Sequence, residues 1–200
     1  MVSSKIHPHL KKILGGRGSA PKKHMKKKTV FIAVAAVTAA LYVALTFLSN
    51  ALGLASGAIQ FRLSEALTIL PFFTPAAIPG LTIGCLLANT LTGCVPADII
   101  FGSVATLLGA IGTYLLSRVP FCKTNEGAVL CTLPPVIANV LIVPFVLRYA
   151  YGVPDAIPYM MLTVGIGEVV CCCILGDLLL FALKKTPLPR ELSAAQEPAD

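Results

Sequence analysis

Charge is scarce in this 200-residue chain. Asp, Glu, Lys and Arg together make up 12% of it, against about 25% in an ordinary soluble domain. Histidine is missing from the body of the sequence: His7, His9 and His24 all lie near the start. That absence excludes a Ser–His–Asp arrangement or an HExxH zinc motif in the remainder. No GxxxxGK[ST] loop occurs, so the chain cannot cradle ATP in the P-loop manner. The seven cysteines form no CxxC pair and have no histidine nearby, which leaves no metal-ligand spacing to read. They are expected to pack as small hydrophobes. An enzyme has little to work with here, and any pumping must draw energy from a gradient or another subunit.

Apolar residues are abundant, at 56% of the chain, with a mean hydropathy of +0.83. The apolar runs are long and unbroken, not short and alternating as in outer-membrane barrels. The fold class expected is therefore all-α, a polytopic membrane protein with a six-transmembrane-helix bundle. The net charge of +7 is confined to one end. Residues 1–28 carry nine Lys/Arg and no acid, whereas the remainder has seven basic and nine acidic residues. The basic run KKHMKKK admits nucleic-acid or anionic-lipid binding. A hydrophobic span follows at once, so a signal holding the N-terminus in the cytoplasm is the simpler reading. Val30–Leu48 exceeds the about 7–15 apolar residues of a signal-peptide core and is expected to remain in the protein.

A spanning helix needs about 20 apolar residues. Six segments are expected: Val30–Leu48, Ile59–Phe73, Ala76–Leu91, Ala97–Leu116, Ala128–Leu147 and Ile157–Leu183. The domain reading is a basic tail over 1–28, a membrane domain over 29–184 and a short tail over 185–200. Six spans put both termini on one side. The N-terminal lysines, Lys184, Lys185, Arg118 and Lys123 make that side cytoplasmic by the positive-inside rule. Arg148 is the dissenter, offset by Asp155.

The most informative stretch is GAIQFRLSEALTILP, Gly57 to Pro71. A charged side chain at mid-bilayer costs about 2.5–3.5 kcal/mol even on lenient scales, so such groups stay only where they hold something. Gln60, Arg62 and Glu65 open the second segment. Asn89 ends the third, Asp98 starts the fourth, Asn139 lies within the fifth, and Glu168 is about 15 Å into the sixth. All seven converge on the outward half, describing a polar cup over an apolar base; Asp177 is the exception. Arg62 and Glu65, three apart, are expected to meet on a helix, as an internal pair or as part of a binding site. Glu168 and Asp98 have no evident basic partner. Asn89 and Asn139 serve equally as interhelical hydrogen-bonding groups. Gly80–Gly84, Gly102/Thr106 and Ala105/Gly109 read as close-packing motifs. In the first segment Ala35/Ala39 and Ala36/Ala40 form small-residue ladders on more than one face, suited to a second membrane protein as well as to the bundle.

The blocks GAIQFRLSEALTILPFF, IPGLTIGCLLANTL, DIIFGSVATLLGAIGTYLL, LPPVIANVLIV and VGIGE, in that order, resemble the QueT family over about Val30 to Leu183. The resemblance implies the substrate-binding S component of an energy-coupling factor (ECF) transporter. Its ligand would be a queuosine precursor, a 7-deazaguanine such as preQ1, preQ0 or queuine. It further implies a bacterial plasma-membrane location and docking on a transmembrane coupling protein that carries two ATPases. Ala35, Ala36, Ala39 and Ala40 fall where the family group contacts that coupling protein. No cofactor is implied within this chain. The Cys171–Cys173 run and the His/Lys-rich start lie outside the family's pattern.

The chemistry agrees with this ligand. A deazaguanine presents an N–H beside an exocyclic amine, which one carboxylate accepts in bidentate fashion. Its carbonyl wants a donor such as Asn, Gln or Arg. Gln60, Arg62, Glu65, Asn89, Asp98, Asn139 and Glu168 are the candidate substrate-binding residues. The expectation is that Glu65 or Glu168 reads the guanine-like edge while another acid meets the amine of preQ1. An S component for another vitamin and a self-sufficient secondary transporter are the competing readings.

Overall fold

A computed structural model describes residues 27–55 and 59–189. The basic run up to residue 26, Gly57 and Ala58 of the polar stretch, and the tail from Arg190 lie outside the described residues. All described regular structure is helical: α1 (Lys27–Ala51), a 3₁₀ helix (Leu63–Phe72), α2 (Ala77–Leu91), α3 (Pro96–Leu116), α4 (Asn125–Tyr149) and α5 (Ile157–Lys184). A short 3₁₀ turn, Pro120–Lys123, joins α3 to α4. Four of these, α1, α3, α4 and α5, are long and apolar enough to cross a membrane. The 3₁₀ helix and α2 are apolar but shorter, with 10 and 15 residues. At roughly 2.0 and 1.5 Å per residue each covers only about 20 Å, short of the ~30 Å hydrocarbon core. Proline and glycine account for the shortening. Pro71 and Pro75 close the 3₁₀ helix, and Gly93, at φ +76°, ends α2 before Pro96 starts α3.

Small residues set how closely the helices approach. A Cβ on Gly80 would sit 2.7 Å from the Ala35 carbonyl oxygen, and one on Gly84 would sit 2.8 Å from the Tyr42 Cβ. The GxxxG of α2 thus seats α1 along its Ala35/Ala39/Tyr42 face. Between α3 and α4 the same device pairs glycine with proline: Gly109 abuts Pro135 and Gly112 abuts Pro134, each with only 2.6 Å for an added Cβ. Tyr42, Leu67, Leu81, Cys85, Ala88 and Ala110 form one core cluster, and Ile69, Cys122, Ala128, Cys131 and Leu180 another. Large apolar side chains such as Ile32, Leu91, Leu141, Leu162 and Leu178 point outward. An apolar outer surface costs nothing in lipid, where the tails are as apolar as leucine.

Two helices depart from α geometry at the polar residues. Side chains at i and i+3 eclipse in a 3₁₀ helix, so Glu65, Thr68 and Pro71 stack in one buried row. Arg62 is not in that helix. It caps the N-terminus with extended backbone, φ −100° and ψ 97°, and so leaves Glu65 for another partner. In α5 the stretch Val169–Leu175 is wound as a π-helix between two α segments. Gly167, just before it, lets the Gln60 backbone approach so closely that a Cβ would fall 2.1 Å from its carbonyl oxygen.

Candidate functional site

The polar end of the bundle follows from chain direction. Thr46, Ser49 and Asn50 from the last turns of α1, Asn89 and Thr92 from the end of α2, and Asp98 from the start of α3 meet at one end. Leu147, from the end of α4, and Tyr151 and Val153, from the loop beyond it, close the same end. With Gln60 and Arg62 they enclose a cavity of about 310 Å³, at the small end of the range for ligand sites. The opposite end carries Lys27 and Lys184; the latter donates to Asn125, the first residue of α4, at 3.2 Å.

The cavity wall is hydrogen-bonded. Arg62 pairs with Asp98 at 3.7 Å, the one ion pair among the described residues. Tyr151 donates to the same Asp98 oxygen at 2.9 Å. Burial, together with its bonds to Cys94 and Asp98, raises the Tyr151 pKa, so the phenol stays a donor across the neutral range. Asn89 Nδ2 lies 3.4 Å from the Asp98 backbone oxygen. Gly102 packs beneath both side chains, with a Cβ position 3.0 Å from Asn89 Nδ2 and 3.1 Å from Asp98 Oδ1. Asp98 Oδ1 is buried with no hydrogen-bond partner.

A second polar layer lies one turn deeper. Thr46, on the cavity wall, donates to the Tyr42 carbonyl at 2.9 Å and lies 3.0 Å from Ser64 Oγ, next to Glu65. Tyr42 donates its phenol to Glu65 Oε1. Cys172 donates to Glu168 Oε2 at 3.2 Å and faces the Glu65 carbonyl at 3.6 Å. Ligand atoms of Glu65, Glu168 and Cys172 all lie within 4.8 Å of one another. Asn139 from α4 is within interaction range of both carboxylates. Glu65 and Glu168 are 2% and 8% exposed, and Glu65 Oε2 and Asn139 Nδ2 have no hydrogen-bond partner. An unmade bond to a buried polar atom costs about 1–3 kcal/mol, so this arrangement is costly unless something completes it.

Of the seven candidate residues, Gln60, Arg62, Asn89 and Asp98 line the cavity, while Glu65, Asn139 and Glu168 form the layer below. The expected Arg62–Glu65 pairing is replaced by Arg62–Asp98, because the extended cap turns Arg62 toward α3. Asp98 therefore has the basic partner that its sequence neighbours do not provide. Tyr42, Tyr151 and Cys172 were not expected in the site. Tyr42 lies at the i+3 position from Ala39 on the face that meets Gly80 and Gly84, a signal that reads as packing. Cys172 belongs to a cysteine run that reads the same way. Asp177 stands apart in α5, with Oδ1 buried and unpartnered. Ala35 and Ala39 face α2, whereas Ala36 and Ala40 are exposed beside a lateral apolar groove that also includes Phe31, Ile83 and Leu87.

A multi-pass helical membrane protein with a polar chamber at one end is, by class, built for holding a small polar molecule. The family model described as QueT transporter matches residues 32–185, and the chain belongs to that family. Among curated proteins it is similar to the queuosine precursor transporter QueT of Lactococcus lactis subsp. cremoris (strain MG1363), 39% identical over 94 residues. That alignment covers 46% of this chain and 55% of the relative, so the chain matches little more than half of that protein's length. No solved structure matches.

Proposed function

We propose that this chain is the substrate-binding S component of an ECF-type importer for a queuosine precursor, a 7-deazaguanine such as preQ1, preQ0 or queuine. The observation that carries this reading is the two-layered polar site inside an otherwise apolar bundle. Gln60, Arg62, Asn89 and Asp98 line a chamber of the right size, and buried carboxyl groups with open acceptor positions lie at and below it. Carboxylate oxygens with open acceptor positions suit the N–H donors of a guanine-like edge. The name of the Lactococcus relative supports the same ligand class.

In this reading the six apolar segments form the membrane domain and both termini face the cytoplasm of a bacterial cell. Lys27, Lys28, Lys184 and Lys185 gather at the end opposite the chamber, in keeping with the positive-inside rule. The chamber then opens outward. Ala36 and Ala40, on the exposed side of α1, offer a small-residue surface to a transmembrane coupling protein. Two ATPases bound to that protein supply the energy, since this chain has no phosphate-binding loop.

Calorimetric titration of the purified protein against deazaguanines and a panel of water-soluble vitamins tests the ligand. Saturable binding of a deazaguanine alone is expected, and tight binding of a vitamin instead would overturn it. Uptake in cells lacking the ATPases tests the assembly. Undiminished uptake there would make the chain a self-sufficient transporter.

A further inference from the structure

The two polar layers are unequal in charge. Asp98 already has the Arg62 guanidinium and the Tyr151 phenol. Glu65 and Glu168 have only neutral donors, Tyr42 and Cys172, with Asn139 nearby. Arg62 lies near enough to act electrostatically on Glu65, but its ion pair is with Asp98. Three carboxyl groups thus share one guanidinium. A carboxylate taken out of water needs an opposite charge beside it or gives up its own charge to a proton. Glu65 Oε2, on a residue 2% exposed, is an acceptor held ready with no partner.

We propose that the inner pair Glu65/Glu168 seats a substrate ammonium, so that the site selects deazaguanines bearing a protonated aminomethyl arm over neutral analogues of the same ring. This rests on the deazaguanine reading above and assigns the two layers separate tasks. The outer layer meets the ring: Asp98 Oδ1 accepts from the guanine-like edge, with Asn89 and Gln60 beside it. The arm enters where Thr46 meets Ser64 at 3.0 Å, a contact that must part to admit it to the acid pair, where Glu65 Oε2 and a Glu168 oxygen accept its N–H groups. Glu65 and Glu168 are then specificity-determining residues, and Tyr42 and Cys172 position them.

The test is titration of the full chain in lipid nanodiscs with three ligands that share one ring: the aminomethyl, hydroxymethyl and nitrile deazaguanines. The hydroxymethyl compound keeps the size of the arm and removes its charge. The aminomethyl compound is expected to bind about tenfold or more tightly than either neutral one, the effect of one charge-assisted hydrogen bond. In Glu168→Gln the ratio of aminomethyl to nitrile affinity should shrink several-fold. Equal affinity of the three for the unmodified chain overturns the inference yet leaves the deazaguanine reading standing. Preference kept in both Glu168→Gln and Glu65→Gln also overturns it. Binding of none of the three, nor of queuine, removes the deazaguanine reading and this inference with it. The comparison on the unmodified chain decides the matter even where a variant does not fold.

Discussion

At the residue scale, the ionisable groups in the bundle are organised by who neutralises whom. Arg62 has a 23% exposed side chain and Asp98 a 5% exposed one. Water screens such a pair only in part, so removing one partner leaves a poorly solvated charge. Arg62→Gln and Asp98→Asn are therefore each expected to lower thermal stability. The double variant should lose less than the sum of the two, with a coupling of about 0.5–3 kcal/mol. Strictly additive losses in a double-mutant cycle would show that the two groups do not support each other. Glu65 behaves differently. Its one strong donor is Tyr42, and Tyr42→Phe leaves only the nearby Asn139 amide. A loss of about 1–3 kcal/mol is expected, read as a lower unfolding midpoint. An unchanged midpoint would mean that Glu65 finds another donor.

At the element scale, backbone geometry does work that side-chain identity cannot do alone. The 3₁₀ winding stacks Glu65 over Thr68, whose hydroxyl donates to the Glu65 carbonyl at 2.6 Å. That bond satisfies a group near the 3₁₀ turn and holds the row in register. The π segment of α5 follows directly on Glu168 and carries Cys172. π-bulges recur at functional sites, and this one sets a thiol 3.2 Å from the carboxylate. Helix contacts depend on missing side chains. A Cβ added to Gly109 would fall 2.6 Å from the Pro135 Cα, and proline cannot yield as a flexible side chain would. Gly109→Val is expected to separate α3 from α4 and destabilise the fold by about 1–3 kcal/mol. A variant as stable as the parent would show that the two helices slide apart freely.

At the scale of the whole molecule, an apolar exterior surrounds a polar chamber at one end and a lysine-rich opposite end. Cys94, part-buried, lines the chamber; Cys173, also part-buried, lies midway along the apolar helix α5, and Cys85, Cys122, Cys131, Cys171 and Cys172 are buried. In intact cells a membrane-impermeant maleimide is expected to label Cys94 from outside. The label should vanish in Cys94→Ser and fall when a deazaguanine occupies the site. Labelling only after the membrane is broken would reverse the orientation proposed here.

The sequence by itself determined the class of the protein. Long apolar runs admit no soluble fold, because the polar surface needed to face water is absent. The few polar groups within those runs stood out because each is costly in lipid, and they are the candidates for a site. Gly80–Gly84 announced its packing role for the same reason: small residues at that spacing serve close helix contact. Only the tertiary structure decided how those groups are partnered. Arg62 looks toward Glu65 along the chain, but one extended residue before the 3₁₀ helix turns it to Asp98. Tyr42, Tyr151 and Cys172 joined the site from positions that read as packing or loop. Helix type, too, was settled in three dimensions, where Leu63–Phe72 is wound as a 3₁₀ helix and Val169–Leu175 as a π segment. Periodicity and hydropathy act along the chain, whereas charge neutralisation acts through space, between residues such as Glu65 and Glu168 that only folding brings together.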